Sequence, residues 1–169
     1  LSNSSIYDKV IIVRSVVPSR DIGFLPGSVK EKIRVYEEPY KEICDELFGR
    51  GDGYDILKMR GIIHFTTTSF LRGITFNNAI VIVDELQNLT FAELDTVMTR
   101  MGDYSKIMFC GDAVQTDLQK TYEKNGILDF MKIIEQMTET FEMVEFGVDD
   151  IVRSGLVREY IMKKMALGL

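Results

Sequence analysis

At 169 residues the chain is long enough for one domain with a sizeable core and too short for two well-developed ones. Its 46% hydrophobic and 27% charged residues are the balance of a soluble globular domain, and a net charge of −6 speaks against wrapping nucleic acid by diffuse positive charge, while a local basic groove stays open. No segment approaches the ~20 apolar residues of a membrane span, and the polar start Leu1-Ser2-Asn3-Ser4-Ser5 lacks the basic region of a signal peptide. Cys44 and Cys110 both read as small buried hydrophobes, so a reducing, cytoplasmic setting is expected. The first residue is Leu rather than Met, which suggests a processed product or a fragment.

In chain order, residues 10–17 are an apolar, β-branched run that reads as a strand. Between Val29 and Phe48 the residues Val29, Ile33, Tyr36, Tyr40, Ile43, Leu47 and Phe48 recur at helix-face spacing. Ser28 with Glu31 makes a capping box at the start of this helix, and Pro39 predicts a break or kink within it. Gly49, Gly51 and Gly53 end the run and mark a mobile loop. Residues 61–67 and 79–83 read as further strands. Thr90 with Glu93 is a second capping box, opening a helix with Leu94, Val97, Met98 and Met101 inward and Gly102 closing it. Residues 107–110 are a fourth strand. A helix over residues 126–137 turns Ile127, Phe130, Met131 and Ile134 inward. Residues 141–146 form a fifth apolar run, and a last helix from Ser154 carries Val157, Tyr160, Ile161 and Met165 on one face. Short apolar runs alternating with helices predict an α/β, doubly wound parallel sheet buried on both faces. No repeat, low-complexity stretch or linker divides the chain, so residues 1–169 read as a single domain.

In open α/β sheets ligands bind beyond the carboxyl ends of the strands. Those ends carry Arg14 and Ser15, then Thr66, Thr67, Thr68 and Ser69, then Asp84 and Glu85, then Gly111, Asp112 and Gln115. The sharpest pattern is Ile80-Val81-Ile82-Val83-Asp84-Glu85, an apolar strand ending in two carboxylates, as in a Walker B motif. Asp84 is suited to hold Mg²⁺ through water, because this ion prefers hard oxygens and keeps its waters, and Glu85 is suited to polarise an attacking water. Alone, the pattern more often marks a strand that simply runs into a solvated loop, since such matches are common by chance. A second strand ending in Gly111-Asp112, with Gln115 following, changes the balance. Gly allows close backbone approach, Asp112 reaches towards the metal shell, and Gln115 orients a water or phosphate, as a γ-phosphate sensor requires.

These residues resemble the PhoH family of phosphate-starvation-inducible ATPases. The resemblance is carried by Gly23-Phe24-Leu25-Pro26-Gly27 with Glu31-Lys32, Leu71-Arg72-Gly73-Ile74-Thr75-Phe76, Asp84-Glu85-Leu86-Gln87-Asn88, Thr99-Arg100, Gly111-Asp112 with Gln115 and Asp117-Leu118, and Asp150-Ile151-Val152-Arg153. They follow family order across nearly the whole chain. Leu86, Ser15 and Ser154 stand where the family usually has Ala, Pro and His.

The resemblance implies a P-loop NTPase with a RecA-like, superfamily 1 helicase-like core, with ATP and Mg²⁺ as cofactors. It also implies possible coupling to single-stranded RNA or DNA, ring-like self-assembly and no membrane. It places Glu85, Gln115, Arg153 and Arg72 in catalysis, the arginines as stabilisers of transferred charge, and Asp84, Gly111, Asp112, Arg14 and Gln87 around the nucleotide and metal. The family's phosphate-binding loop should precede Val10, yet the chain contains no Gly-Lys dipeptide. The expected fold therefore lacks its first strand and phosphate loop, and the chain alone is expected to bind ATP–Mg²⁺ poorly and to be inactive. The other reading is a non-catalytic module that binds nucleic acid or a partner through the same strand ends. His64, the only histidine, lies in an apolar strand and reads as a hydrogen-bonded core residue, and no His/Cys metal cluster is present.

Overall fold

The computed structural model describes residues 6–15, 29–111 and 122–167. Ser28, the loop 23–27, Asp112, Gln115 and the pair Asp117-Leu118 lie outside the described residues. The chain divides into two compact units, Leu1–Met131 and Lys132–Leu169.

The first unit is built on four parallel strands, β1 (Lys9–Arg14), β2 (Ile63–Thr67), β3 (Ala79–Asp84) and β4 (Lys106–Phe109), in the order β2-β1-β3-β4. This is the α/β parallel sheet expected from the sequence. Ile11, Ile12 and Val13 of β1 are all buried, as a central strand covered on both faces requires. Successive side chains alternate between faces. Ile12 falls on the face covered by α1 (Val29–Phe48) and α2 (Gly53–Met59), where it joins Tyr54 and Ile63 in a core completed by Val10, Tyr40, Cys44, Leu57 and Phe65.

Of the expected break or kink at Pro39, the break does not occur: helix α1 is continuous through Pro39. Proline removes the N–H that would bond to Val35, four residues back. Both residues are exposed, so the freed carbonyl sits on the watered side of the helix. The glycine-rich stretch after α1 was expected to be only a loop, yet Gly53 opens α2. Gly53 is buried against the end of α1, where a Cβ would come within 3.2 Å of the Cys44 carbonyl oxygen.

Thr90 caps α3 (Phe91–Met98) with the predicted reciprocal box: the Thr90 hydroxyl accepts from the Glu93 N–H, and the Glu93 carboxylate accepts from the Thr90 N–H. Leu94 and Val97 are buried as expected. The stretch after α3 is tied to the strand-like segment before β3. Phe76 N–H donates to the Arg100 carbonyl at 2.8 Å, and Gly102 N–H to the Phe76 carbonyl at 2.9 Å. Helix α4 (Tyr122–Gln136) turns Ile127 and Phe130 inward, and Phe130 meets Phe109 of β4 edge to face at 5.1 Å.

The second unit differs from expectation. Residues 141–146 form no strand, and Met143, Val144 and Phe146 are exposed. Apolar, β-favouring composition makes a strand only where a partner edge is available. Helix α5 (Gly155–Ala166) starts after Ser154 as predicted, but Val157, Tyr160 and Met165 of its apolar face are exposed. The cysteines also depart from expectation: Cys44 is half-buried and Cys110 is exposed. His64 is exposed too, its Nε2 lying 2.9 Å from the Gly61 carbonyl oxygen, so it is hydrogen-bonded without being core. Among the described residues no helix is long and apolar enough to cross a membrane.

Candidate active site

The strand order creates a switch point. The chain leaves β1 for β2 on one side, and leaves β3 for β4 on the other, so the crevice between connections opens beyond the carboxyl ends of β1 and β3. Register places Arg14 opposite both Thr67 and Asp84, a row of three residues across the sheet top.

Arg14 and Asp84 follow Ile12 and Ile82 on the same face by strand alternation, and register pairs Ile12 with Ile82. That face is the one packed by α1. Tyr36 and Tyr40 stand one helical turn apart on α1 and both reach this row. The Tyr40 ring packs against Phe65 at 5.6 Å, and its hydroxyl donates a short hydrogen bond to Oδ2 of Asp84. The Arg14 guanidinium lies over the Tyr36 ring, 5.6 Å from its centroid. Burial pushes the Tyr40 phenol above its ordinary value; the hydrogen bond to Asp84 and the Asp84 charge push the same way, and Arg14 opposes them.

Beyond β3 the backbone turns sharply. Glu85 adopts a left-handed conformation (φ 55°, ψ 49°), which costs a non-glycine residue roughly 1–2 kcal/mol. The turn is held from β4: Cys110 N–H donates to the Val83 carbonyl at 2.8 Å, and Leu86 N–H to the Cys110 carbonyl at 3.0 Å. It aims the Glu85 carboxylate back at the crevice. There Nη2 of Arg14 lies 3.4 Å from Oε1, and Nε2 of Gln87 donates to Oε2 at 2.5 Å. Gly111 completes the turn. A Cβ there would stand 2.6 Å from Cβ of Leu86 and 2.8 Å from both the Leu86 nitrogen and Oε1 of Gln87.

A second polar cluster supports the floor. One oxygen of Glu93 accepts from the Ser15 hydroxyl at 3.0 Å and the Thr68 hydroxyl at 2.5 Å; the other accepts from Thr90 N–H at 2.9 Å and the Thr90 hydroxyl at 3.0 Å. The ends of β1 and β2 are thereby tied to the start of α3. Burial alone would raise the Glu93 carboxyl, but the bonds from Thr68, Thr90 and Ser15 outweigh it and hold the group below its ordinary value.

Of the residues singled out in the sequence, the structure brings Arg14, Asp84, Glu85, Gln87 and Gly111 together. Arg72 is exposed after the turn Thr68–Phe70, and among the described residues no ion pair joins it to Asp84 or Glu85. Arg153 is exposed in the second unit, just before α5. Sequence reasoning missed Tyr36 and Tyr40 as site residues, having read them only as a helix face, and read Glu93 only as a cap.

The donor set suits Mg²⁺. Asp84 offers a hard carboxylate at the carboxyl end of β3. Such an ion, which retains waters and takes its remaining ligands from phosphate oxygens, needs little more from protein.

A parallel α/β sheet with paired carboxylates at its switch point is an arrangement consistent with a P-loop NTPase-like domain. The profile of the PhoH-like protein family matches residues 1–165, and the chain belongs to that family. It is 34% identical over 157 residues to a PhoH-like protein of Bacillus subtilis, covering 90% of this chain and 47% of the relative. It is 34% identical over 151 residues to Protein PhoH of Escherichia coli K12, covering 88% and 42%. A PhoH-like protein of Synechocystis is 34% identical over 155 residues, covering 91% and 46%. The chain thus spans less than half the length of these relatives.

Proposed function

We propose that this chain carries the cation- and water-handling part of an ATP-hydrolysing site. The observation that supports this most is the pairing at the switch point: Asp84 and Glu85 leave β3 together, Asp84 braced by Tyr40 and Glu85 held between Arg14 and Gln87. Asp84 would hold Mg²⁺ through water, and the ion, when bound, neutralises charge on the phosphates. Glu85 orients a water and takes its proton as the water oxygen bonds to the γ-phosphorus. The bond to the β–γ bridging oxygen breaks, giving ADP and phosphate. Arg14, paired with Glu85, would exchange it for a phosphate oxygen when nucleotide binds. Asp112 and Gln115, which follow Gly111 in sequence, would serve as γ-phosphate sensors, and Arg153 of a neighbouring copy in a ring would stabilise the transferred charge. The test is phosphate release from ATP by the full-length gene product. Asp84→Asn should lose both activity and its normal Mg²⁺ dependence, and wild-type behaviour of that variant removes the assignment.

A second reading has its own support. Ser69, Phe70 and Arg72 are all exposed just past the end of β2, Phe70 at 53%. An exposed aromatic ring beside an arginine is the combination that holds single-stranded RNA or DNA, by stacking and by phosphate contact. Such binding would couple to the ATPase or, if Asp84 and Glu85 prove inert, stand as the function of a non-catalytic module.

A further inference from the structure

Tyr40 lies 44 residues from Asp84 in sequence, belongs to no motif at the strand ends, and yet makes the direct side-chain contact to the carboxylate on which the ATPase reading depends. Its geometry is fixed twice over. The half-buried ring is packed against Phe65 and against the buried cluster of Ile12, Tyr54 and Ile63. The hydroxyl alone projects to the level of Arg14 and Asp84, and there donates to Oδ2. A rigid aromatic body with a single polar tip delivers one hydrogen bond at one place, and leaves the tip little freedom to follow the carboxylate elsewhere.

An aspartate at the end of a strand can rotate about two side-chain bonds. A donor on one of its oxygens selects one rotamer and leaves the other oxygen for a ligand. Hydrogen bonds of this kind to a metal-binding carboxylate typically change metal affinity about 10–100-fold. Tyr36, one turn earlier on α1, lies under the Arg14 guanidinium by its ring face, and Arg14 in turn pairs with Glu85, so neighbouring turns of the helix reach both carboxylates, one directly and one through Arg14.

We propose that Tyr40 is a positioning residue for the divalent cation: its hydroxyl fixes the Asp84 carboxylate in the orientation that receives the ion. The inference rests on the reading of Asp84 given above, and the experiment separates the two. The probe is Mn²⁺, followed by its electron paramagnetic resonance signal during titration of the full-length gene product with a non-hydrolysable ATP analogue present. Tyr40→Phe keeps the ring and its packing and removes only the donor; a thermal melt within a few degrees of wild type, as loss of one hydrogen bond predicts, establishes that the variant is folded. The proposal expects Tyr40→Phe to weaken Mn²⁺ binding by about tenfold, with affinity for the metal-free nucleotide unchanged. Unchanged Mn²⁺ affinity would reduce Tyr40 to a core residue and overturn it. Tighter binding would also overturn it, because Tyr40 would then be competing with the cation for Oδ2. Asp84→Asn serves as the reference. If it leaves Mn²⁺ binding intact, the cation site itself is misplaced and the proposal falls with it. If it abolishes binding while Tyr40→Phe has no effect, only the role of Tyr40 fails.

Discussion

Arg14 and Glu85 meet across the switch point, Nη2 to Oε1 at 3.4 Å, with the Arg14 side chain 20% exposed and that of Glu85 36% exposed. A pair this accessible to water contributes at most about 1 kcal/mol to stability. Arg14→Ala should therefore melt close to wild type. If Arg14 re-pairs with a phosphate, the same substitution should weaken ATP binding by about tenfold, the loss of one charge-assisted hydrogen bond. Titration with a fluorescent ATP analogue, beside a thermal melt, reads both. A large fall in melting temperature with unchanged affinity would make Arg14 a structural residue.

Glu93 should behave in the opposite way. Its carboxylate collects bonds from Ser15, Thr68 and Thr90, and Glu93→Ala should destabilise the fold by about 1–3 kcal/mol, because buried hydroxyls lose their acceptor and α3 its cap. The sign of the pH dependence follows from the depressed pKa. The folded value lies below the ordinary 4.5, so the contribution is complete above that pH and is lost as pH falls through the folded value. Urea denaturation of wild type and Glu93→Gln at pH 7 and below pH 4 measures it. The stability gap between the two proteins should narrow in acid.

The parallel sheet was legible in the sequence because β1 and β3 are short apolar runs ending in charged residues, and the run of β3 leads straight into Asp84-Glu85. The Thr90–Glu93 box was legible because capping is local. What was hidden depended on distant parts of the chain meeting. Tyr40 shows helix periodicity like any core residue, and nothing in its spacing reveals that the sheet top lies within reach of its hydroxyl. Glu93 has two oxygens, and only the one used locally could be read; the other answers to Ser15 and Thr68, brought there by strand order. The apolar runs at residues 141–146 and in α5 misled for the converse reason, since periodicity reports an apolar face and not what covers it.

Gly111 is a steric requirement. Its φ is not in the left-handed region, so the argument is contact alone: an added Cβ would press on the Leu86 nitrogen and Cβ and on Gln87. Gly111→Ala should cost about 1–3 kcal/mol as the turn shifts to relieve overlap, and should displace Gln87 from Glu85. A melting temperature equal to wild type would mean that the β4 end and the Glu85 turn are less tightly joined than described.

Arg72 offers a test of nucleic-acid coupling. Fluorescence anisotropy with labelled single-stranded RNA and DNA, across a salt series, should show modest, salt-sensitive binding by the full-length gene product. Arg72→Ala should weaken it uniformly across sequences and lower the salt slope by about one. Undetectable binding of either strand at low salt, with nucleotide present, would remove nucleic acid from the function.

The central claim is that Glu85, bent out of the strand into a left-handed turn and held between Arg14 and Gln87, is the base of an ATPase. The most direct measurement compares ATP binding with ATP hydrolysis in the full-length gene product carrying Glu85→Gln. The substitution keeps the shape of the side chain and its hydrogen-bonding reach while removing the basic oxygen. Binding should stay within a few-fold of wild type while turnover falls by about 10²–10⁴-fold. Hydrolysis at the wild-type rate would contradict the account and leave Glu85 as the residue that turns the chain at the end of β3.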